Sequence, residues 1–132
     1  MNCAMLGGKD LAWEQEISLE KAKTIFTEFL TREKENFKQQ GIEGVMPFLQ
    51  VSLVGKNKVY SSLLCIDLVE KDGDLIFKTA NVINSFSIDK RTIERITLIE
   101  KIEGKIKILY LIFQLVGGMK CQICLSKEVI SG

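Results

Sequence analysis

The sequence contains no histidine among its 132 residues. Serine and cysteine nucleophiles usually depend on a histidine base, and many protein metal sites depend on imidazole ligands. The absence therefore excludes Ser-His-Asp and Cys-His sites, histidine general bases and every metal site that contains histidine. It is the strongest functional restriction in the composition.

An excess of charge of either sign is also missing. The chain carries 18 basic and 17 acidic residues, which gives a net charge of +1. Proteins that bind nucleic acids usually show a positive excess, because the neutralisation of phosphates supplies much of their affinity. The composition therefore predicts a protein that does not bind nucleic acid.

Long hydrophobic runs are absent as well. The longest, Ile108–Val116, is interrupted by Gln114 and is about half as long as a membrane-spanning helix. The first ten residues have no basic leader before a signal-peptide core. We therefore expect a cytoplasmic protein without membrane contacts, whose cysteines are reduced thiols: Cys3, Cys65, Cys121 and Cys124.

What is present fits one domain over residues 1–132, in which residues 1–10 form a flexible leader. Alternation from Leu11 to Ile17 predicts a first strand. Apolar residues at helical spacing then predict a long helix over Leu19–Gln40, with Ser18 as its N-cap and Gly41 as its stop.

The rest of the chain has the pattern of strands and hairpins. Asp72-Gly73 predicts a tight hairpin turn, and Asn84–Arg95 is equally consistent with a loop or a single helical turn. We predict an α+β fold, with one long N-terminal helix packed against a curved antiparallel sheet of five to seven strands. The strands after the helix are predicted over Val45–Val54, Val59–Glu70, Leu75–Val82, Ile96–Ile102, Lys105–Val116 and Met119–Ser126.

The strand Lys105–Val116 is apolar on both faces from Ile108 onward. Such a pattern is typical of a central strand that is covered on both sides. We expect the helix to cover one face of this strand. The other face would be covered by the curled sheet itself, by a second copy of the chain in a homodimer, or by a ligand.

The only Cys-x-x-Cys pair lies in the last predicted strand. Side chains three residues apart on a strand point to opposite faces, so Cys121 and Cys124 cannot converge on one metal ion. A redox pair would need its first thiolate at a helix N-terminus, and here a Gly-Gly turn precedes it. We therefore expect Cys121 in the core, Cys124 on the outer face, and neither a bound metal nor another cofactor.

Two polar residues are candidates for a binding site. Asp67 shares a strand face with Leu63, Cys65 and Val69, so its carboxylate would act as an acid or base in a cavity if that face were internal. Gln114 on the central strand would orient a ligand if it were buried. The alternatives are an outer-face position for Asp67 and a strand-end position in solvent for Gln114.

The densest positive region contains three further candidates, Lys101, Lys105 and Lys107. Glutamates at positions 94, 100 and 103 interleave with these basic residues and weaken their field. This surface is either a solvated strand face or a docking site for an acidic protein partner.

The order of strand, long helix and antiparallel meander is similar to the cystatin-like arrangement, and Gln50–Gly55, "QVSLVG", resembles that family's Gln-x-Val-x-Gly hairpin. The segment is one residue longer than the family motif, so protease inhibition is not carried over. The same order also resembles the nuclear-transport-factor-like cone, which encloses a pocket.

These observations favour a small interaction protein of the inhibitor, immunity or adaptor type, which covers the functional surface of a partner protein without catalysis. The alternative is a cone that binds a small molecule or lipid between its sheet and Phe26, Phe29 and Phe37, with Asp67 or Gln114 as polar anchor. A catalytic form of the cone would use Asp67 as its base.

Overall fold

The computed structural model describes residues 9–39, 48–56, 58–79 and 85–130, with side chains from residue 12 onward in the first range. The chain forms one helix, eight strands and two short 3-10 turns over these residues. In chain order they are β1 (Lys9–Glu16), α1 (Leu19–Gln39), β2 (Leu49–Gly55), β3 (Lys58–Lys71), β4 (Asp74–Thr79), β5 (Phe86–Asp89), a 3-10 turn (Lys90–Thr92), β6 (Ile93–Glu103), β7 (Ile106–Leu115), a second 3-10 turn (Val116–Gly118) and β8 (Lys120–Val129).

All eight strands belong to one open sheet in the order β1-β6-β7-β8-β2-β3-β4-β5, and every neighbouring pair is antiparallel. The α+β prediction is confirmed, with one strand more than the predicted five to seven. The additional strand is β5, which lies in the segment that the sequence left open between a loop and a helical turn. Asp89 does cap a 3-10 turn there, since its carboxylate accepts a hydrogen bond from the Arg91 amide.

The sheet curls strongly around the helix. β5 lies at one margin of the sheet and β6 stands next to the other, yet only three residues separate Asp89 from Ile93. Four residue steps span about 14 Å at most. The two margins therefore approach each other, although β1 and β5 are not paired.

The helix begins where its N-cap was predicted. Ser18 Oγ accepts a hydrogen bond from the Lys21 amide at 3.2 Å, which satisfies one of the amides left free at a helix start. One stripe of the helix is buried against the concave face of the sheet, through Ala22, Ile25, Phe26 and Leu30.

Aromatic rings connect the helix to the middle of the sheet. Phe77 on β4 is fully buried, and its ring lies edge-on to Phe26 at 6.5 Å and to Phe113 at 6.2 Å between centroids. It also stacks on Phe86 of β5 at 5.1 Å. These contacts make the helix and the curled sheet one continuous core.

β7 is a central strand with two buried faces, as its sequence predicted. Leu111 and Phe113 face the helix, whereas Ile108, Tyr110 and Ile112 form a second apolar cluster on the outer face. The Lys101 ammonium lies 5.8 Å from the Tyr110 ring and covers part of this second cluster. Neighbouring side chains of the same chain therefore bury the outer face.

Several predicted boundaries lie outside the described residues: the helix stop at Gly41, the strand start at Val45, Pro47, and the strand end at Val82. The same holds for residues 1–8 of the predicted leader, while Lys9 and Asp10 belong to β1. Among the described residues, no helix has the length and apolar character required to cross a membrane.

Candidate functional site

The Cys-x-x-Cys pair lies on a strand, as predicted. Cys121 is fully buried in the core that faces the helix, and Cys124 packs against the outer cluster on the opposite face. Burial raises the pKa of both thiols, and it raises the pKa of Cys65 to about 11. A reactive or metal-binding cysteine requires the opposite shift. No group of three metal-ligating side chains occurs in the described ranges.

Asp67 lies on the outer face of the sheet, which was one of the two positions expected for it. Its side chain is exposed, and Oδ1 accepts a hydrogen bond from the Leu68 amide at 2.8 Å. The register of β3 against β4 shifts between Cys65 and Asp67, which is the mark of a β-bulge at Ile66. The bulge reverses the alternation, so that Cys65 faces the core while Asp67 pairs with exposed Lys78.

Gln114 and the predicted lysines do not converge with Asp67. Gln114 is half-buried near the end of β7 and pairs with Lys120 of β8. Lys101 lies against Tyr110, and Lys107 forms an ion pair with Glu128 at 3.7 Å. Lys105 is exposed in the turn between β6 and β7. These contacts reduce the positive field expected of this surface.

Four unpaired edges of the described sheet lie along β1, β5, the end of β8 and the first half of β3, and the first three carry features that discourage the addition of another strand. β1 combines a bulge with charged residues at positions 9, 10, 14 and 16. β5 is only four residues long. β8 extends beyond its pairing with β2, and that extension contains Lys127 and Glu128. Charge, bulges and shortness are the usual protections of an exposed edge.

The fourth edge is different. β3 is 14 residues long, but β4 pairs with it only from Cys65 to Lys71. Residues Lys58–Leu64, which we call the open β3 edge, pair with β2 on one side and with no strand of the described chain on the other. From Val59 to Ile66 this strand contains no charged residue.

The open β3 edge also exposes apolar side chains. Val59 is 60% exposed, Tyr60 53% and Leu64 51%. A register shift between Leu53 and Val54 marks a bulge at Tyr60, and the ring covers Gly55. A Cβ atom on Gly55 would lie 2.2 Å from Tyr60 Cε2, so the ring can occupy this place only above a glycine.

This edge presents the two features that a strand-binding surface needs. The side without a neighbouring strand carries backbone amide and carbonyl groups for main-chain hydrogen bonds. Tyr60 and Leu64 add apolar contacts at its two ends, and Ser61 and Ser62 separate them with small polar groups. The regular length between the two bulges, Ser61–Cys65, is about 17 Å at the rise of a β-strand.

An apolar groove on the described surface outside this edge is shallow. It has a volume of about 290 Å³ and lies between β5 and the turn from β7 to β8, over Leu53, Phe86, Leu115 and Met119. That is at the lower limit of ordinary ligand pockets. Where a cavity was predicted between the sheet and Phe26, Phe29 and Phe37, the Phe77 ring lies edge-on to Phe26 at 6.5 Å between centroids, and half-buried Phe29 packs against the same core.

Comparison with models of protein families, with curated proteins and with solved structures found no match to this chain. Of the residues that carried the likeness to cystatins, Gln50–Val54 lie inside β2 and pair with both β3 and β8, whereas Gly55 pairs with Lys58 at the β2–β3 hairpin.

The open β3 edge was not predicted from the sequence. A strand was predicted over Val59–Glu70 and is confirmed by β3, but the pattern "VYSSLLCI" does not reveal which of its two edges has a neighbour. One signal was present in the sequence: the stretch Val59–Ile66 contains no charged side chain.

Proposed function

We propose that this protein is an interaction protein that binds an extended segment of another protein along the open β3 edge. The observation that carries the proposal is the contrast among the edges. Three unpaired edges are shortened or charged, whereas Lys58–Leu64 is uncharged after its first residue and exposes Val59, Tyr60 and Leu64. Edges without such protection recruit strands.

Binding would extend the sheet by one strand. The segment would take the position beside Lys58–Leu64 that no described strand occupies, and would form main-chain hydrogen bonds with this part of β3. Its alternate side chains would contact the apolar residues at the two ends of the edge. Such a complex works sterically, by holding the bound segment away from its other contacts.

Two features favour this function over the binding of a small molecule between helix and sheet. The Phe77 ring contacts both the Phe26 and the Phe113 ring there, and close-packed interiors leave few voids larger than a water molecule. Asp67, the polar anchor of that alternative, is exposed on the outer face.

The test compares two substitutions of exposed valine or leucine by lysine. Leu64→Lys places a charge on the open edge, and Val129→Lys places the same charge on an apolar residue of β8 that is 77% exposed. Both variants should unfold within about 0.5 kcal/mol of the wild type, because neither side chain is in the core. The proteins are immobilised and used to capture partners from the cells that express this chain.

A supporting result has two parts. A partner must be retained by the wild type and by Val129→Lys but not by Leu64→Lys. Once it is purified, its binding must slow hydrogen exchange at the amides of residues 61–64. Equal retention by both variants, or protection elsewhere on the chain alone, would contradict the proposal.

A further inference from the structure

Over residues 49–56, 58–66 and 120–126, the three neighbouring strands β8, β2 and β3 carry charge only near the β2–β3 hairpin, and charges of both signs, such as Asp67 and Glu128, follow beyond these ranges. Their charged side chains over residues 49–56, 58–66 and 120–126 are all lysines: Lys56, Lys58 and Lys120.

The register brings these three lysines to the same end of the sheet. Lys58 is paired with Gly55, and Lys120 is paired with Val54 on the other side of β2. Lys56 follows Gly55 directly. Each of the three is therefore within a few residues of the tip of the β2–β3 hairpin.

None of the three lysines has a carboxylate partner in the part of the chain that the structure describes. The Lys58 ammonium lies 4.7 Å from the centre of the Tyr60 ring, a contact that leaves its charge uncompensated. Five basic residues elsewhere do form ion pairs with carboxylates: Lys23, Lys90, Arg91, Arg95 and Lys107. The hairpin tip is thus a positive end without internal compensation.

The direction in which a partner segment would bind follows from the direction of β4. β4 runs antiparallel to β3, and its line beyond Thr79 leads along the open β3 edge toward Lys58. Every strand pair of the sheet is antiparallel, and this pairing is slightly more stable per residue than the parallel one. A segment bound in this direction would place its C-terminal end beside the three lysines.

We infer that the segment bound at the open β3 edge is uncharged along its length and acidic at its C-terminal end. The inference rests on the proposed function and specifies the chemistry of its partner. The lysines attract carboxylates at the hairpin tip, and the uncharged stretch excludes charged side chains from the rest of the segment. The same contacts fix the direction in which the segment binds.

The test uses synthetic peptides and fluorescence anisotropy. Three peptides share a core of alternating valine and threonine and differ only at their ends. The first carries two aspartates at its C-terminal end, the second carries two aspartates at its N-terminal end, and the third carries two lysines at its C-terminal end. The first should bind the wild type about fivefold more tightly than the second, since exposed charge pairs contribute modestly. This preference should weaken at high salt, because the Debye length falls to about 3 Å at 1 M ionic strength.

Charge reversal provides the matched control. In the double variant Lys56→Glu with Lys58→Glu, the lysine-ended peptide should become the tightest of the three. The double variant Lys21→Glu with Lys34→Glu changes the net charge equally on the exposed face of the helix, and should keep the wild-type order.

The outcomes separate this inference from the proposed function. If all peptides bind equally well but lose binding in Leu64→Lys, strand addition stands and the acidic end is refuted. If no peptide binds and Leu64→Lys retains every captured partner, both are refuted. A dimer in sedimentation that disappears in Leu64→Lys would make a second copy the occupant. Binding of single-stranded oligothymidylate that is lost on reversal of Lys56 and Lys58 would indicate nucleic acid instead.

Discussion

Replacement of Phe77 by alanine should reveal how completely the space between helix and sheet is filled. The Phe77 ring is fully buried and contacts three other rings, those of Phe26, Phe86 and Phe113. Deletion of a buried phenylalanine costs about 3–5 kcal/mol, and each aromatic pair contributes about 0.5–1.5 kcal/mol beyond its burial. We expect a loss of about 4 kcal/mol in the free energy of unfolding for Phe77→Ala.

The loss should be measured by urea unfolding at low temperature, because a domain of this size has only about 5–15 kcal/mol to lose. Phe48→Ala is the control, since Phe48 is 38% exposed and its truncation should cost less than about 1 kcal/mol. Both variants should unfold in one transition, as expected if helix and sheet share a core.

A small aromatic molecule such as indole completes the experiment. The deleted ring leaves an apolar cavity, and such cavities accept apolar guests. Indole at 100 times its Kd should restore about 2.7 kcal/mol to Phe77→Ala and leave the wild type unchanged. Stabilisation of the wild type by indole would refute a filled interior and support the cone-like alternative. A loss below about 1.5 kcal/mol in Phe77→Ala would refute the assigned role of this ring.

Two further predictions concern polar groups. Hydrogen bonds from Lys23 and Lys90 hold the pKa of Glu70 at about 2, below its ordinary value of 4.5. Ionised Glu70 therefore stabilises the fold above pH 4.5 and loses that effect as the pH falls toward 2, so the difference in Tm between wild type and Glu70→Gln should shrink over this interval. A constant difference would contradict it. Thr97 is fully buried, and its hydroxyl has no hydrogen-bond partner among the described residues. Thr97→Val should raise the unfolding free energy by about 1 kcal/mol in urea titrations, whereas Thr92→Val, which removes the bond to the Asp89 carbonyl, should lower it.

Local patterns of the sequence were sufficient for most elements. The helix over Leu19–Gln39 follows from apolar spacing and a serine cap, and the turn at Asp72-Gly73 from residues that adopt positive φ. Both depend on neighbours within a few positions along the chain, so no knowledge of the tertiary structure was required. The placement of Cys121 and Cys124 on opposite faces follows in the same way from strand alternation.

The face of Asp67 could not be predicted, because the bulge at Ile66 changes which residues face the core. A bulge depends on the register with the partner strand, and the sequence of one strand does not contain that register. β5 was missed for a related reason. A strand of four residues, Phe86–Asp89, has too few alternations to stand out from a loop, and its pairing with β4 defines it.

The sequence by itself determined the class of the fold and the limits on its chemistry. Periodicity specifies one helix and a set of strands, and the absence of histidine removes whole classes of catalytic and metal sites. The tertiary structure alone decided where the sheet remains open. Because β4 pairs with β3 only from Cys65 to Lys71, Lys58–Leu64 has no neighbour on that side among the described strands, and Val59, Tyr60 and Leu64 are exposed there. The position of an edge depends on the order and lengths of the strands. These in turn depend on pairing between residues that are far apart in the sequence.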